Sequence, residues 1–236
     1  MLLLAQAMTT ALLYDVHGNL TALEAVLADA RGAGAARFVL GGDYALFGPE
    51  PIETVTALRE LPEATWIRGN GERWTADASQ APDNEVVQGA IVGCRDALGE
   101  TMVEELAALT ESVVLDGARY CHGSPISDVR SFMPHPGDED EELIGGIAER
   151  RLVFGHTHLP FRRTGPGGVE LINPGSVGMP FDGDPRAAYG LVHDSGEVEH
   201  RRVVYDHRGA AAAVSERFGS SGWTEVVARR IATASP

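Results

Sequence analysis

Cysteine is scarce in this sequence, which contains only Cys94 and Cys121 among its 236 residues. Small secreted domains held together by disulfides carry many more, so we expect two reduced thiols and no disulfide framework. No apolar run is long enough to cross a bilayer. The apolar residues 1–7 have no basic flank and are not typical of a signal peptide. We therefore expect a cytoplasmic protein without a membrane anchor.

Basic charge is also in short supply. Lysine and arginine together number 19 against 34 aspartates and glutamates, and the formal net charge is −15. This balance argues against a long nucleic acid as the partner and against binding to an anionic membrane surface. It does not argue against a small phosphorylated substrate, because bound metal ions supply positive charge locally. The oligomeric state is left open.

No linker or internal repeat divides the chain. The 28 glycines and 13 prolines are spread along the sequence, and 44% of the residues are hydrophobic, which is enough for a sizeable core. We therefore predict one domain over residues 1–236. Residues 1–8 are expected to be an N-terminal extension, because the first convincing structural element begins after Met8.

Short apolar runs alternate with amphipathic segments in the first half of the chain. We predict strands at 11–14, 38–40 and 65–67 and helices at 19–31 and 53–61. This alternation predicts a largely parallel sheet. Next we predict a helix at 84–109 broken near Gly99, a hairpin around Asp116-Gly117, a helix opened by the acidic residues 138–142, and a strand at 152–154.

The pattern becomes rich in short strands after residue 160. We predict strands at 161–164, 169–172, 188–192 and 198–205, which favour an antiparallel second sheet. The tail, residues 208–231, is predicted to be helical. The expected fold class is α/β, a two-sheet sandwich of mixed sheets flanked by helices.

Polar side chains follow the apolar strands at their carboxyl ends, where open α/β sheets collect their ligand sites. Imidazole, carboxylate and amide donors together suit Mn, Fe, Zn, Ni or Co, and disfavour copper, iron–sulfur clusters and calcium. Seven such donors are too many for one tetrahedral ion but suit two ions that share a carboxylate. The seven are Asp15, His17, Asp43, Asn70, His122, His156 and His158.

These donors stand in motifs that resemble those of the calcineurin-like metallophosphoesterase superfamily. Each motif is weak alone, but all of them occur in the family's order, each after a predicted strand. A later segment, 173–178, resembles the stretch that follows the last histidines in small bacterial and archaeal members. The motifs are Asp15-Val16-His17-Gly18-Asn19, Gly41-Gly42-Asp43, Gly69-Asn70-Gly71-Glu72, Cys121-His122-Gly123-Ser124 and Gly155-His156-Thr157-His158.

The resemblance implies a two-sheet sandwich and a role for each donor. A first ion would be bound by Asp15, His17 and His158, and a second ion by Asn70, His122 and His156. Asp43 would bridge the two ions, of which manganese is favoured. The catalytic residues would be Asp15, Asp43, Asn70 and His122, with Asn70 also contacting the substrate phosphate.

The two residues that flank the Gly69-Asn70 pair bear on which kind of phosphate ester is the substrate. Many family members carry histidine after the Gly-Asn pair, where it stabilises phosphate or protonates the leaving group, but Gly71 can do neither. We therefore expect a phosphodiesterase acting on a small or nucleotide substrate. Arg68 lies where the protein-phosphatase branch carries a phosphate-gripping arginine. A structural ion pair with an acidic neighbour is an equally good interpretation of Arg68.

Other functions remain open. Within the same chemistry, the alternatives are a phosphomonoesterase or a protein phosphatase, whose relatives more often keep the histidine that Gly71 replaces. In a different class, the fold could be a catalytically silent scaffold. Scaffolds of this fold have lost metal ligands, whereas this sequence has a suitable residue at every ligand position.

Overall fold

A computed structural model describes residues 9–236, so the predicted N-terminal extension, residues 1–8, lies outside the described residues. The strands are β1 (Thr9–Leu13), β2 (Ala35–Leu40), β3 (Ala64–Trp66), β4 (Ser112–Leu115), β5 (Ala118–Cys121), β6 (Arg151–Val153), β7 (Phe161–Thr164), β8 (Glu170–Asn173), β9 (Ala187–Val192) and β10 (Val198–Val203). The α-helices are α1 (Leu20–Gly32), α2 (Pro51–Arg59), α3 (Asn70–Ala76), α4 (Glu85–Ala107), α5 (Asp140–Leu143), α6 (His207–Phe218) and α7 (Gly222–Thr233).

The strands form two five-stranded mixed sheets, as the fold class predicts. The first sheet has the order β10-β9-β1-β2-β3, with β1, β2 and β3 parallel and β9 antiparallel to β1. The second has the order β4-β5-β6-β8-β7, with β5, β6 and β8 parallel and β4 and β7 as antiparallel edge strands. Helices α1, α2, α4, α6 and α7 contribute to the hydrophobic cluster outside the first sheet.

The expectation that the four C-terminal strands form an antiparallel second sheet is wrong. Strands β7 and β8 extend the second sheet beside β6, whereas β9 and β10 return to the first sheet beside β1. Residues 187–191 of β9 are all buried on both faces, as expected of a strand next to the middle of a covered sheet. Alternation in the sequence identifies a strand but does not identify the strand with which it pairs.

Helix boundaries differ from the sequence prediction at three places. The tail contains two helices, because Gly219 ends α6 with φ of +79°. The acidic stretch leads only into the four-residue helix α5. Helix α3 was not predicted, since seven residues are too few to display a clear helical period. The break in α4 at Gly99, with φ of +73°, is confirmed.

The space between the sheets is filled by alternate residues of the central strands. Leu12 and Tyr14 point towards the second sheet and pack with Val153 and Ile172. Leu13 points the opposite way into the helical layer, as the two-residue period of a strand requires. Cys94 and Cys121 are free thiols and both are buried. No helix within residues 9–236 is long and apolar enough to cross a membrane.

Candidate metal centre

The loops that follow β1, β2, β3, β5 and β6 converge at one edge of the sandwich, where the carboxyl ends of these strands lie. They bring all seven predicted donor residues into one cluster of short contacts, and each except the partly exposed His156 is buried. The cluster draws on both sheets, because β1, β2 and β3 belong to the first and β5 and β6 to the second.

The predicted first-ion ligands face one another closely. His17 Nε2 lies 3.0 Å from His158 Nε2, and Asp15 Oδ1 lies 3.4 Å from His158 Nε2. His17 Nδ1 donates to the carbonyl of Leu46 at 2.9 Å, and His158 Nδ1 donates to that of Met179 at 2.6 Å. A carbonyl only accepts, so the neutral rings carry their protons on Nδ1 and direct two Nε2 lone pairs at each other.

The predicted second-ion ligands are equally close. The Asn70 side-chain amide lies 2.9 Å from His122 Nε2 and 2.8 Å from His156 Nδ1. His122 Nδ1 donates to the carbonyl of Gly41 at 2.8 Å, which leaves the Nε2 lone pair facing the cluster. In one orientation the Asn70 amide nitrogen donates to His122 Nε2 and His156 Nδ1. In the other, with the amide rotated by half a turn, the Asn70 oxygen faces the cluster, where a cation would bind it.

Two carboxylates lie between these groups. Asp43 Oδ1 is 3.5 Å from His122 Nε2 and Asp43 Oδ2 is 3.9 Å from His17 Nε2, so its two oxygens face histidines of both predicted ion sites. Asp15 Oδ1 lies within 4.0 Å of Nε2 of His17, His122 and His158. This arrangement is compatible with the predicted bridge, although Asp15 is as central as Asp43.

The residues fit a divalent cation on physical grounds. Asp15 Oδ1 is buried and has no hydrogen-bond partner among the described residues, a costly state for a carboxylate oxygen. In their neutral forms the three imidazoles around it present Nε2 lone pairs, because their Nδ1 atoms hold the protons, so none of them donates a proton to Asp15 Oδ1. A cation would satisfy the carboxylate and the imidazoles together, which no neutral hydrogen-bond pattern does.

Burial lowers the pKa of two of the histidines, His17 and His156, whereas at His122 burial is outweighed by the carboxylates of Asp43 and Asp15, which raise the pKa. Burial, and unfavourable electrostatics with the neighbouring imidazole of His158, lower the pKa of His17 to about 3. Burial, and unfavourable electrostatics with the neighbouring imidazole of His122, lower the pKa of His156 to about 4. Burial raises the pKa of Asp43 to about 7, an effect that His122 opposes. A low imidazole pKa preserves the lone pair that binds metal, and a cation would stabilise the Asp43 carboxylate.

Most of the donor residues have left-handed backbone conformations. This conformation costs non-glycine residues about 1–3 kcal/mol and persists where the surroundings impose it. Here His17 N donates to Asp43 O at 2.8 Å and Asp15 N to Gly42 O at 3.2 Å, so the loops after β1 and β2 hold each other. The residues with positive φ are Asp15 (53°), His17 (51°), Asp43 (56°), His156 (67°) and His158 (59°).

Glu72 supports the site, although it is not among the site residues predicted from the sequence. Its buried carboxylate accepts hydrogen bonds from the backbone N–H groups of Gly69 (2.7 Å), Asp43 (2.9 Å) and Tyr44 (2.8 Å). It therefore fixes the loop that carries Asp43 to the start of α3. An acidic residue at the third position of a helix is the signal that could have identified it.

The segment 173–178 supports the site from the opposite side. Asn173 Nδ2 donates to the carbonyl of Gly155 at 2.9 Å, just before the two loop histidines. Ser176 Oγ donates to the carbonyl of Asp15 at 2.7 Å. Neither side chain is exposed at all, so their hydrogen bonds hold the loops after β1 and β6 in fixed relative positions.

Arg68 lies at the edge of the site with its guanidinium already paired. It donates to the Glu111 carboxylate and to the carbonyl of Ala107, which agrees with the structural interpretation of this arginine. Nevertheless it lines a pocket of about 380 Å³ that also reaches His122. A contact between Arg68 and substrate phosphate stays a prediction.

Arg73 lines the same pocket and is not among the site residues predicted from the sequence. It is three residues after Asn70 and therefore on the same face of α3. Its guanidinium forms two hydrogen bonds with the Asp128 carboxylate, at 2.7 and 2.6 Å.

A second cleft, of about 570 Å³, lies at the opposite ends of the strands, between Thr10, Arg37 and Arg151. That cleft contains none of the seven donors.

Comparison with known proteins agrees with this geometry. Residues 8–196 match the model of the calcineurin-like phosphoesterase superfamily domain. The crystal structure of a metallophosphoesterase from Sphaerobacter thermophilus is 27% identical, with a TM-score of 0.80 over 97% of this chain and 100% of that one. An uncharacterised protein of Methanocaldococcus jannaschii is 27% identical over 83% of this chain and 87% of its own length. Phosphodiesterase YfcE of Escherichia coli is 28% identical over 75% of this chain and 83% of its own.

Proposed function

The chain belongs to the calcineurin-like phosphoesterase superfamily and is a metal-dependent phosphoesterase. We propose that it uses two divalent ions to hydrolyse a phosphodiester in a small, nucleotide-like substrate. The observation that carries the proposal is the pair of facing Nε2 lone pairs on His17 and His158 beside the unpartnered Asp15 Oδ1. In this proposal Asp15, His17 and His158 would hold the first ion. Asn70, His122 and His156 would hold the second, and Asp43 would contact both.

Two such ions would supply positive charge at the attacking and leaving oxygens of an in-line displacement. The protein itself supplies rigid placement. Carbonyl groups fix the protons of the neutral His17, His122 and His158 rings on Nδ1, so that the Nε2 lone pairs face the candidate ion sites. Manganese is the ion that we favour, with Fe, Zn, Ni and Co as alternatives of compatible ligand chemistry.

The preference for a diester is supported by Gly71. Glycine cannot protonate a leaving group, so a substrate whose alcohol leaves readily tolerates this position better than an alkyl monoester. The described relative from E. coli is named a phosphodiesterase, which agrees with the preference. A phosphomonoesterase or protein phosphatase remains the second candidate, favoured only by Arg68, which lines the pocket beside His122.

A catalytically silent scaffold is less well supported. Such a protein would have no use for six buried donor residues, one of which, Asp15, carries an unsatisfied carboxylate oxygen. Its signature would be failure to bind metal, and that measurement separates the two classes directly. The cytoplasmic location stays a prediction from the sequence.

The decisive experiment measures hydrolysis by protein stripped with a chelator and resupplied with Mn, Ni, Co, Mg or Zn individually. The substrates are bis-p-nitrophenyl phosphate, a diester, and p-nitrophenyl phosphate, a monoester. We expect release of nitrophenol that depends on metal and is faster from the diester. A faster reaction with the monoester would contradict the proposed preference for diesters. If none of the added metals binds to the protein, the result would support the scaffold.

A further inference from the structure

One loop contacts the imidazole of His158 at both its edge and its face. The carbonyl of Met179 accepts from His158 Nδ1 at 2.6 Å. Two residues later, the ring of Phe181 stacks on the imidazole with centroids 4.4 Å apart and an interplanar angle of 22°. The hydrogen bond fixes the direction of the Nδ1 edge, and the stacked ring restricts rotation of the imidazole plane. Together these contacts determine where Nε2 points.

The same loop is held from its other side by helix α7. The Arg230 guanidinium lies 5.8 Å from the centroid of the Phe181 ring, a distance typical of a cation–π contact. Beyond the helix, the carbonyl of Ala234 accepts from Gly183 N at 2.9 Å. A continuous set of contacts therefore joins α7 to His158 through Phe181. Helix α7 lies beyond residues 8–196, which match the family model.

Helix α7 is itself firmly placed. Ser221 caps its first turn, and Val227 and Ile231 are buried in the helical layer outside the first sheet. Arg230 Nε is buried with no hydrogen-bond partner in the described part of the chain. Because no carboxylate there competes for this guanidinium, its attraction to the face of the Phe181 ring is retained. The helix can thus hold the loop in one position.

We propose that α7, acting through Arg230 and Phe181, orients His158 and so sets the affinity of the first metal ion. The inference rests on the proposed metal centre and adds a role for a helix outside the matched domain. Arg230 and Phe181 are positioning residues that act through His158. The affinity of the second ion, for which Asn70, His122 and His156 are the proposed ligands, should not depend on Arg230 or Phe181. No described contact joins Phe181 to those three side chains.

The test measures Mn²⁺ binding by calorimetry in two backgrounds. His156→Ala removes a proposed ligand of the second site, so that the first site can be titrated. His158→Ala removes a proposed ligand of the first site, so that the second site can be titrated. In the His156→Ala background, we expect Phe181→Leu and Arg230→Met to weaken Mn²⁺ binding about tenfold, as loss of groups that orient ligands does. In the His158→Ala background, neither change should alter the affinity by more than about twofold.

Two controls separate positioning from general stability. Phe181→Tyr retains the stacked ring and should bind the first ion normally. Arg229→Met removes the neighbouring exposed arginine of the same helix and should have no effect. Equal weakening of both sites, or unchanged affinity in the His156→Ala background, would overturn the role of α7. Failure of the wild-type protein to bind Mn²⁺ would instead overturn the metal centre itself.

Discussion

His17 Nε2 and His158 Nε2 lie 3.0 Å apart, although each ring already uses its proton to bind a backbone carbonyl. Two lone pairs at this distance repel each other, so the contact persists because the surrounding loops enforce it. The protein's own hydrogen bonds thus hold the candidate ligands close together. Such preorganisation reduces the reorganisation that accompanies ion binding.

Addition of metal should stabilise the fold, because ligands from both sheets would be joined through the ions. At a free Mn²⁺ concentration about a hundredfold above Kd, we expect the free energy of unfolding to rise by about 2.7 kcal/mol per site. Denaturant unfolding of stripped protein, with and without Mn²⁺, measures this increase. Mg²⁺ at the same concentration serves as a comparison, since it binds imidazole poorly. An unchanged midpoint would contradict the proposed centre.

Asp43→Asn should abolish metal-dependent turnover while leaving a folded protein. The substitution keeps the shape of the side chain but removes the charge that faces both His17 and His122. The measurements are nitrophenol release and metal content per chain, with far-UV circular dichroism to check folding. Asp96→Asn, an exposed change on α4, is the matched control. Near-normal turnover of Asp43→Asn at low metal would exclude the two-ion assignment.

Glu72→Gln should weaken metal binding although Glu72 is not a predicted ligand. Its carboxylate accepts three backbone N–H groups, and an amide places a donor where acceptors are needed. We expect a loss of about 1–3 kcal/mol in unfolding free energy, together with a lower affinity for Mn²⁺. Glu100→Gln, an exposed change of the same type, should alter neither quantity. A Glu72→Gln protein as stable as wild type would show that the loop needs no such support.

Gly71→His should raise monoesterase relative to diesterase activity if the missing imidazole sets the preference. The structure adds a complication, because a Cβ at Gly71 would lie 2.9 Å from Asp43 Oδ1. Gly71→Ala carries the same Cβ without the imidazole and is therefore the matched control. The expected result is a higher monoester-to-diester ratio in Gly71→His than in Gly71→Ala. Equal ratios would mean that the imidazole has no part in the preference.

The fold class and the assembly of the donor residues follow directly from the sequence. Apolar runs that end in Asp15, Asp43 or His122 reveal both a strand and the edge of the sheet at which it ends. The pairing of β9 with β1 could not be predicted from the apolar runs, because the hydrophobic pattern of a strand does not specify the strand with which it pairs. The contact between Phe181 and His158 depends on the path of an irregular loop, which no periodicity describes.

Support residues were harder to identify than ligands. Glu72, Asn173 and Ser176 act through bonds to backbone atoms, and those partners have no side-chain signature in the sequence. The left-handed backbone at Asp15 and His17 is likewise not predicted by the sequence, since positive φ is uncommon even for aspartate and histidine and depends here on contacts between loops. The sequence therefore predicts which residues are the candidate donors, but it does not predict the hydrogen bonds that fix their loops.

The separation of the ligands along the chain has a consequence for biosynthesis. His17 and His158 are 141 residues apart, and Ser176, which holds the loop of Asp15, is 161 residues beyond that aspartate. If these residues bind an ion as proposed, a nascent chain on the ribosome cannot form the first ion site until His158 has emerged. The proposed ion loading would then follow synthesis of most of the chain, and apoprotein made without metal should be activated by metal supplied later.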